Sequence, residues 1–499
     1  MHRNAGAFDA RLMNTRVIVA VNAGVILAIG LALLVPLVLS LLYGDGSWRS
    51  FLLPAAVMVA AGSGGILATR APGRAAEYIS NRDVYLSVAL AWTLAALLGG
   101  APFLIEGTFH SLIDSSFEAM SGFTTTGATL LSGIEAETPS ILFWRSMTHW
   151  LGGIGIVVLF VAVAPLLGVG AARLLGAEMS GLTHPRLTPR IADTAKALVV
   201  IYLAISLAET VCLLVAGMPL YDAVVHTFGT VATGGFSSRT ASVGFYDSVA
   251  IEAIIAFFMT ASGVSFSLYY LLYTRRRLDV VLDRELVAYL GIIVVAVCFV
   301  WGVLVLEGDY RDDLGRALRD SAFTVSSIIT TTGFVTADFD KWDTAAKIIL
   351  VLLMFVGGCA GSTAGGVKVI RVLIISRTIL QDIFRMVHPR AVTPLKIGGR
   401  VVPEAVRLAA LGLFAAWIAV FGAATFLVAI QENLTLESSA TAVAATLNDV
   451  GPGLDQVGAT ESFEIVNPFG RVVLTVCMLL GRLEVFTVLA LLSPAFWRR

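Results

Sequence analysis

The chain has 499 residues, of which 57% are hydrophobic and only 14% charged, and its formal net charge is −1. A soluble domain carries about 25% charged residues, so this composition belongs to an integral membrane protein. The near-zero charge excludes a nucleic-acid footprint. The four cysteines sit in apolar segments without ligand spacing, which argues against a disulfide framework or a metal centre.

Residues 1–16 form a basic tail, and apolar runs at 17–43 and 51–69 form a helical hairpin. The first run lacks a cleavage site and is expected to be retained. From residue 84 one pattern recurs four times: a span, a short apolar segment, a glycine turn and a second span. The first unit has these helices at 84–105, 110–123 and 139–168, and the second at 197–217, 219–231 and 248–274. The third has them at 286–306, 314–330 and 345–380, and the fourth at 405–430, 436–447 and 469–496.

The short segments hold about a dozen residues, whereas crossing a bilayer takes about 20. They are expected to enter the membrane and stop. The fold class read from this pattern is an all-α integral membrane protein: an N-terminal hairpin followed by four pseudo-fourfold repeats around a central pore, with ten spans and four re-entrant half-helices. The units fall at 1–75, 84–175, 190–277, 284–400 and 401–499. Ten crossings put both termini on one side. Loops on that side carry the basic runs at 173–196, 275–284 and 371–400, while Glu106, Asp222, Asp338, Asp340 and Asp455 lie opposite. Basic loops concentrate in the cytoplasm, so the termini are expected inside and the glycine turns open outward.

The turns read Phe123-Thr-Thr-Thr-Gly-Ala128, Val231-Ala-Thr-Gly-Gly-Phe236, Ile329-Thr-Thr-Thr-Gly-Phe334 and Leu447-Asn-Asp-Val-Gly-Pro452. Their glycines, Gly127, Gly235, Gly333 and Gly451, are separated by 108, 98 and 118 residues. One Thr-Thr-Thr-Gly run is an ordinary loop; recurrence gives it weight. A helix that stops inside a membrane leaves its last carbonyls unpaired and turns the negative end of its dipole toward mid-membrane. Glycine then lets consecutive carbonyls face one axis. The expected filter is Thr125, Thr126 and Gly127; Thr233, Gly234 and Gly235; Thr331, Thr332 and Gly333; and Asp449, Val450 and Gly451. Ligands that are mainly backbone oxygens favour a monovalent alkali cation over a divalent one.

The last span of the third unit is interrupted by Gly357, Gly358, Gly361, Gly365 and Gly366, five glycines in ten residues. Each costs a helix about 1 kcal/mol relative to alanine. The run lacks the Gly-Lys-Ser/Thr ending and preceding strand of a nucleotide loop. With Ser362, Thr363 and Lys368 it is the expected gate, together with Arg482 in the final span. Lys368 either presents its charge to the permeation path or snorkels to the cytoplasmic surface, the second being favoured. Arg482 is an intramembrane charge and so functional by default; the alternative is pairing with Glu484, for which i,i+2 spacing is poor. For Asp449 two roles stay open, a cation site or hydrogen bonds to loop amides. His110, His149 and His226 are scattered and read as loop or packing residues. No acid, base and nucleophile gather at one depth, so the chain is not expected to be an enzyme.

The segments Ser121-Gly-Phe-Thr-Thr-Thr-Gly-Ala-Thr129, Gly234-Gly-Phe-Ser237, Ile329-Thr-Thr-Thr-Gly-Phe334, Asn448-Asp-Val-Gly-Pro-Gly453 and Gly481-Arg-Leu-Glu484 resemble the Trk/Ktr/HKT superfamily of potassium transporters. Within it the chain is most similar to the TrkH/TrkG family of bacterial pore subunits. The resemblance covers the whole chain, including the hairpin at 17–69 that Ktr-type subunits lack. It implies potassium uptake across the bacterial inner membrane, potassium bound at the filter and a homodimer. It also implies a TrkA-like cytosolic nucleotide-binding regulator and no cofactor on this chain. Further, it implies an intramembrane loop at 357–366 that closes the pore, with Arg482 as a barrier beside it. In related plant proteins a serine at the position of Gly127 goes with sodium preference. Asp449 departs from the family, where a second asparagine is usual. The implied mechanism is a channel-like pore opened by the regulator, for which the basic loops at 275–284 and 371–400 are the docking surface. Secondary transport coupling potassium to protons or sodium is the alternative, and four units in one orientation favour the pore over it.

Overall fold

A computed structural model of the chain describes residues 13–69, 80–163, 190–275, 282–307, 310–391, 393–430 and 433–497. Most of the N-terminal tail, the end of the span expected at 139–168 and the basic residues Arg173, Arg186, Arg276 and Arg277 lie outside the described residues.

The apolar run at the N-terminus forms α1 (Thr15–Ala32) and α2 (Leu34–Tyr43), offset at Leu33, and returns as α3 (Trp48–Thr69). The hairpin closes tightly because Gly62 of α3 lies against the backbone of Ala23 and Leu27, where a Cβ would come within 2.8 Å of the Ala23 carbonyl. Small residues permit such approaches between apolar helices. A reciprocal Ser80–Asp83 capping box starts α4 (Asn81–Gly99), which continues through Gly100 into α5 (Ala101–Glu106).

The four-part order then follows. The first repeat adds α6 (Leu112–Phe123) and α7 (Pro139–Val163). The second contains α8 (Arg190–Val215), α9 (Leu220–Val231), α10 (Val249–Ser262) and α11 (Phe266–Arg275). The third contains α12 (Arg284–Glu307), α13 (Leu314–Ile329), α14 (Thr344–Val356) and α15 (Val369–Val387). The fourth contains α16 (Glu404–Ala429), α17 (Leu436–Leu447), α18 (Pro468–Arg482) and α19 (Phe486–Leu492).

Burial runs opposite to the pattern of a soluble protein. The short helices occupy the centre: every residue of α17 from Ala442 to Leu447 is buried. The long helices expose Leu207, Val294, Phe299 and Phe426 outward, as helices surrounded by lipid do. Among the described residues six helices are long and apolar enough to cross a membrane, or up to eight if each bent pair is one span.

The bends correct the sequence reading. The spans expected at 248–274 and 469–496 are not continuous: α10 and α11 meet at 85°, and α18 and α19 at 118°. The first break frees backbone groups that the interrupted segment of the third repeat takes up, since Cys359 N–H bonds the Gly263 carbonyl at 2.9 Å and Phe266 N–H the Gly361 carbonyl at 3.0 Å. The second follows from Glu484, whose φ of 55° is left-handed. The strict all-α expectation also misses a small antiparallel hairpin, Lys396–Ile397 with Arg400–Val401. Gly398 and Gly399, at φ of 56° and 79°, supply the two left-handed positions that such a turn requires.

Candidate functional site

Each short helix ends in the same way. The residue two before the turn glycine is left-handed, with φ of 58° at Thr125, 57° at Thr233, 58° at Thr331 and 55° at Asp449. The next amide bonds back to the carbonyl five residues earlier: Thr126 to Ser121 at 2.9 Å, Gly234 to Gly229 at 2.7 Å, Thr332 to Ser327 at 2.9 Å and Val450 to Ala445 at 2.8 Å. This is a Schellman-type stop built without glycine at its left-handed position. A β-branched residue there costs about 1–3 kcal/mol, and such strain clusters at functional sites.

The glycines follow, with φ of 86° at Gly127, 82° at Gly235, 76° at Gly333 and 103° at Gly451. A side chain is excluded at each by the next turn as well as by φ. A Cβ on Gly127 would overlap the Gly234 carbonyl oxygen, one on Gly235 that of Thr332, and one on Gly333 that of Val450. A Cβ on Gly451 would come within 2.8 Å of the Thr126 carbonyl oxygen. The four contacts run from first turn to second, second to third, third to fourth and fourth back to first, so the turns form a closed ring. Among the described residues no backbone amide bonds the carbonyls of Thr126, Gly234, Thr332 or Val450. All four glycines line one cavity of about 180 Å³, which the segments following the turns complete through Thr129, Ser237, Val335 and Pro452.

Sequence reasoning missed the charged groups that brace this ring. Arg145 of α7 and Glu118 of α6 form a buried ion pair with Nε–Oε1 at 2.7 Å. Glu118 also accepts the Thr129 hydroxyl at 2.8 Å and the Leu130 amide at 3.0 Å. Arg145 donates to the Ser237 carbonyl at 3.1 Å and lies 3.5 Å over the Phe236 ring. The pair thus ties together the segments that follow the first and second turns. The available signal was an ionisable residue inside each of two apolar segments. A second signal was spacing: Asp114, Asp222 and Asp320 each lie thirteen residues before a turn glycine, the first two in the first turn of a helix, where anions are favoured. Asp114 binds Arg471 at 2.5 Å, Asp222 accepts the Ser238 hydroxyl at 2.6 Å, and Asp320 accepts the Tyr310 hydroxyl at 2.9 Å. The fourth repeat has Ser438 at this position, donating to Asp455 at 2.8 Å. His149 stacks on Phe236 and contacts the Gly122 carbonyl at 2.7 Å, and His226 bridges the Asp222 carbonyl and the Ser237 hydroxyl, so both pack. Among the described residues no group of three His, Cys, Asp or Glu side chains could hold a metal ion.

The expected gate residues lie directly against the ring. Between α14 and α15 the chain folds back on itself, with Gly357, Gly361 and Gly366 at φ of 72°, 75° and 72°. Gly358 and Ser362 are buried within this loop, and the Ser362 hydroxyl bonds the Cys359 carbonyl at 2.7 Å. Gly365 N–H donates to the Thr331 hydroxyl at 2.7 Å, and a Cβ at Gly365 would overlap the Asn448 carbonyl oxygen. The Thr363 hydroxyl reaches the Val231 carbonyl at 3.1 Å. Arg482 donates to the Thr363 carbonyl at 2.8 Å and the Gly152 carbonyl at 3.4 Å. The loop and Arg482 together touch all four repeats.

Three of the singled-out side chains have defined partners here. Lys368 does not snorkel: its ammonium bonds the Ala364 carbonyl inside the loop, and its own backbone is left-handed with φ of 79°. Glu484 pairs with Arg371 at 2.7 Å, leaving Arg482 to the loop carbonyl. Among the described residues no loop amide bonds Asp449; its Oδ1 accepts the Thr126 hydroxyl at 2.9 Å across the seam between the fourth and first turns.

Similarity to known proteins extends along nearly the full chain. The TrkH family profile, described as cation transport protein, matches residues 55–499. The Trk system potassium uptake protein TrkH of Halomonas elongata is 39% identical over 497 residues, covering 98% of this chain and 100% of that protein. The Escherichia coli K12 protein TrkG is 34% identical over 476 residues, 94% of this chain and 96% of its own length. The crystal structure of the potassium transporter TrkH from Vibrio parahaemolyticus superposes with a TM-score of 0.88 at 37% identity, covering 97% of this chain and 100% of that one. The chain belongs to the TrkH family of cation transport proteins.

Proposed function

We propose that this chain carries out potassium uptake across the bacterial inner membrane, through a central pore that it forms alone from four repeats at 84–175, 190–277, 284–400 and 401–499. In this reading α7 and the interrupted α14–α15 pair are crossings too, which brings the count to ten, with both termini cytoplasmic. Four inward-running half-helices present the carbonyls of Thr125–Gly127, Thr233–Gly235, Thr331–Gly333 and Asp449–Gly451 to a dehydrated ion. The loop at 357–368 and Arg482 block the path beneath them. A cytosolic nucleotide-binding regulator of the TrkA kind docks on the basic loops and opens the path, and two copies of the chain assemble.

The observation that carries this reading is the closed ring of glycine-to-carbonyl contacts among turns about a hundred residues apart. Irregular backbone inside a membrane is tolerated where it lines a watery path, and a ring of carbonyls that no backbone amide occupies can replace a hydration shell. The names of the relatives, potassium uptake proteins, add the ion. A coupled transporter is the second reading. It has one observation in its favour: Glu209 of α8 is a fully buried carboxyl within an apolar span, as in an intramembrane proton or ion relay. Purified protein in liposomes decides between them. A current that reverses at the potassium equilibrium potential, whatever the proton and sodium gradients, supports the pore; a reversal that moves with the proton gradient supports coupling.

A further inference from the structure

Glu285 lies in the first turn of α12 and is 4% exposed. The filter and the blocking loop, as read above, make no use of it. Its Oε1 accepts the Ala360 N–H at 2.7 Å and the Ile370 N–H at 3.2 Å. The two amides belong to opposite limbs of the blocking loop: Ala360 enters the stretch that reaches Thr331 and Arg482, and Ile370 stands in the first turn of α15, after the stretch has returned. One carboxylate oxygen therefore fastens the loop at its base.

The contact also answers a deficiency of α15. A helix start leaves amides without partners and carries partial positive charge. The residue at its N-cap, Lys368, makes no side-chain cap bond, and its ammonium is committed to the Ala364 carbonyl. The missing acceptor, anionic and buried, is supplied by another helix of the same repeat. Of the other bonds at the base, Cys359 N–H to the Gly263 carbonyl ties the loop to the second repeat, whereas those from Val367 to Phe355, Lys368 to Val356 and Val369 to Gly358 are between backbone groups of the loop and its own flanks. The latter move with the loop, whereas Glu285 anchors it to α12.

We propose that Glu285 is a positioning residue for the gate: it latches residues 357–368 in the blocking arrangement, and the loop withdraws when its carboxylate parts from the two amides. The proposal rests on the reading of that loop as the gate. Displacement of the first turn of α12 releases the latch without disturbing the ring of turns.

The test uses the full chain in liposomes without any added partner, as wild type, Glu285→Ala and Glu285→Gln. Two quantities are read: potassium flux, and the rate at which a water-soluble thiosulfonate modifies Cys359, located by peptide mass mapping. Cys359 is a fully buried thiol beside Ala360, so its modification reports loop withdrawal. Glu285→Ala is expected to raise both by about tenfold, as befits loss of a charged acceptor from buried amides. Glu285→Gln keeps an acceptor oxygen without the charge and raises both by about twofold to threefold. A purely structural role would lower the yield of folded protein without raising Cys359 modification in the folded fraction, and that result overturns the proposal. Unchanged flux and modification in Glu285→Ala, or in Glu285→Gln where the alanine variant fails to fold, overturns it as well. Deleting residues 361–365 separates the two ideas. If the deletion raises flux and Glu285→Ala does not, the latch is wrong and the gate stands; if neither raises it, the gate reading itself fails.

Discussion

The four glycine turns and the loop at 357–368 lie against each other, yet they are held by different means. Each turn is capped by a bond that reaches back five residues, such as Thr332 to Ser327, and the same bond recurs in every repeat. The loop occurs once. It is held by partners from distant parts of the chain: Glu285, Gly263, Thr331 and Arg482. Local, repeated bonding makes a rigid ring that keeps its shape wherever the surrounding helices settle. Long-range bonding from a few polar groups makes an element that can be released as a unit, because losing any one holder weakens the rest. In the proposed reading rigidity serves ion recognition and releasability serves gating, and the two are divided between neighbours.

Substitutions can break this division on either side. The largest effect is expected at the ring. Gly127→Ser adds a Cβ at φ of 86° that overlaps the Gly234 carbonyl. The left-handed conformation costs about 1 kcal/mol and overpacking about 1–3 kcal/mol more. At about 1.4 kcal/mol per factor of ten, the potassium-to-sodium permeability ratio should fall by about thirtyfold to several hundredfold, read as a shift of reversal potential in mixed gradients. No shift would remove Gly127 from the filter.

Arg482→Gln tests the loop's distant holders. It removes charged hydrogen bonds to the Thr363 and Gly152 carbonyls, each worth about 1.5–3 kcal/mol. Rubidium uptake into liposomes without a regulator should rise about tenfold, with the permeability ratio unchanged. A change in selectivity instead would mean that ring and loop are one element.

Thr331→Val and Thr125→Val sharpen the comparison, since the two residues share one backbone conformation. The Thr331 hydroxyl accepts the loop's Gly365 amide, whereas the Thr125 hydroxyl has no partner among the described residues. A neutral hydrogen bond contributes about 1 kcal/mol, so Thr331→Val should raise regulator-free uptake about fivefold, and Thr125→Val should leave it at the wild-type level.

The smallest effect lies outside the membrane. Hydroxyls of Thr435 and Ser438 hold the Asp455 carboxyl below its ordinary range. Such a group stabilises the fold above the ordinary carboxylate value, and that contribution fades as pH falls through the depressed one. Asp455→Asn should therefore loosen hydrogen-exchange protection at the start of α17 slightly at neutral pH. The difference from wild type should vanish under strongly acidic conditions.

The ring was legible in the sequence because its determinants are local. Gly127, Gly235, Gly333 and Gly451 recur behind short apolar segments, and each needs a conformation that glycine adopts most easily. The loop was legible as a break because five glycines cannot sustain a helix. Its holders were not legible. Nothing near Glu285 in the sequence points to Ala360, and the expectation for Lys368 rested on its long stem rather than on a partner that only the folded chain reveals. The bends at Gly263 and Glu484 were missed for the same reason: both segments read as continuous apolar runs, and partners elsewhere stabilise the breaks. The Asp114, Asp222 and Asp320 series was within reach, being a fixed distance from each glycine.

The hydrogen bond from Thr126 to Asp449 joins positions 323 residues apart. During synthesis three quarters of the ring can be inserted while one side of it still faces lipid. The strained threonines and bare carbonyls gain their last neighbours only when α17 arrives. The C-terminal repeat is thus the closing stone of an arch: a chain halted before residue 450 is left with an unsealed notch in the bilayer, a fitting target for membrane quality control.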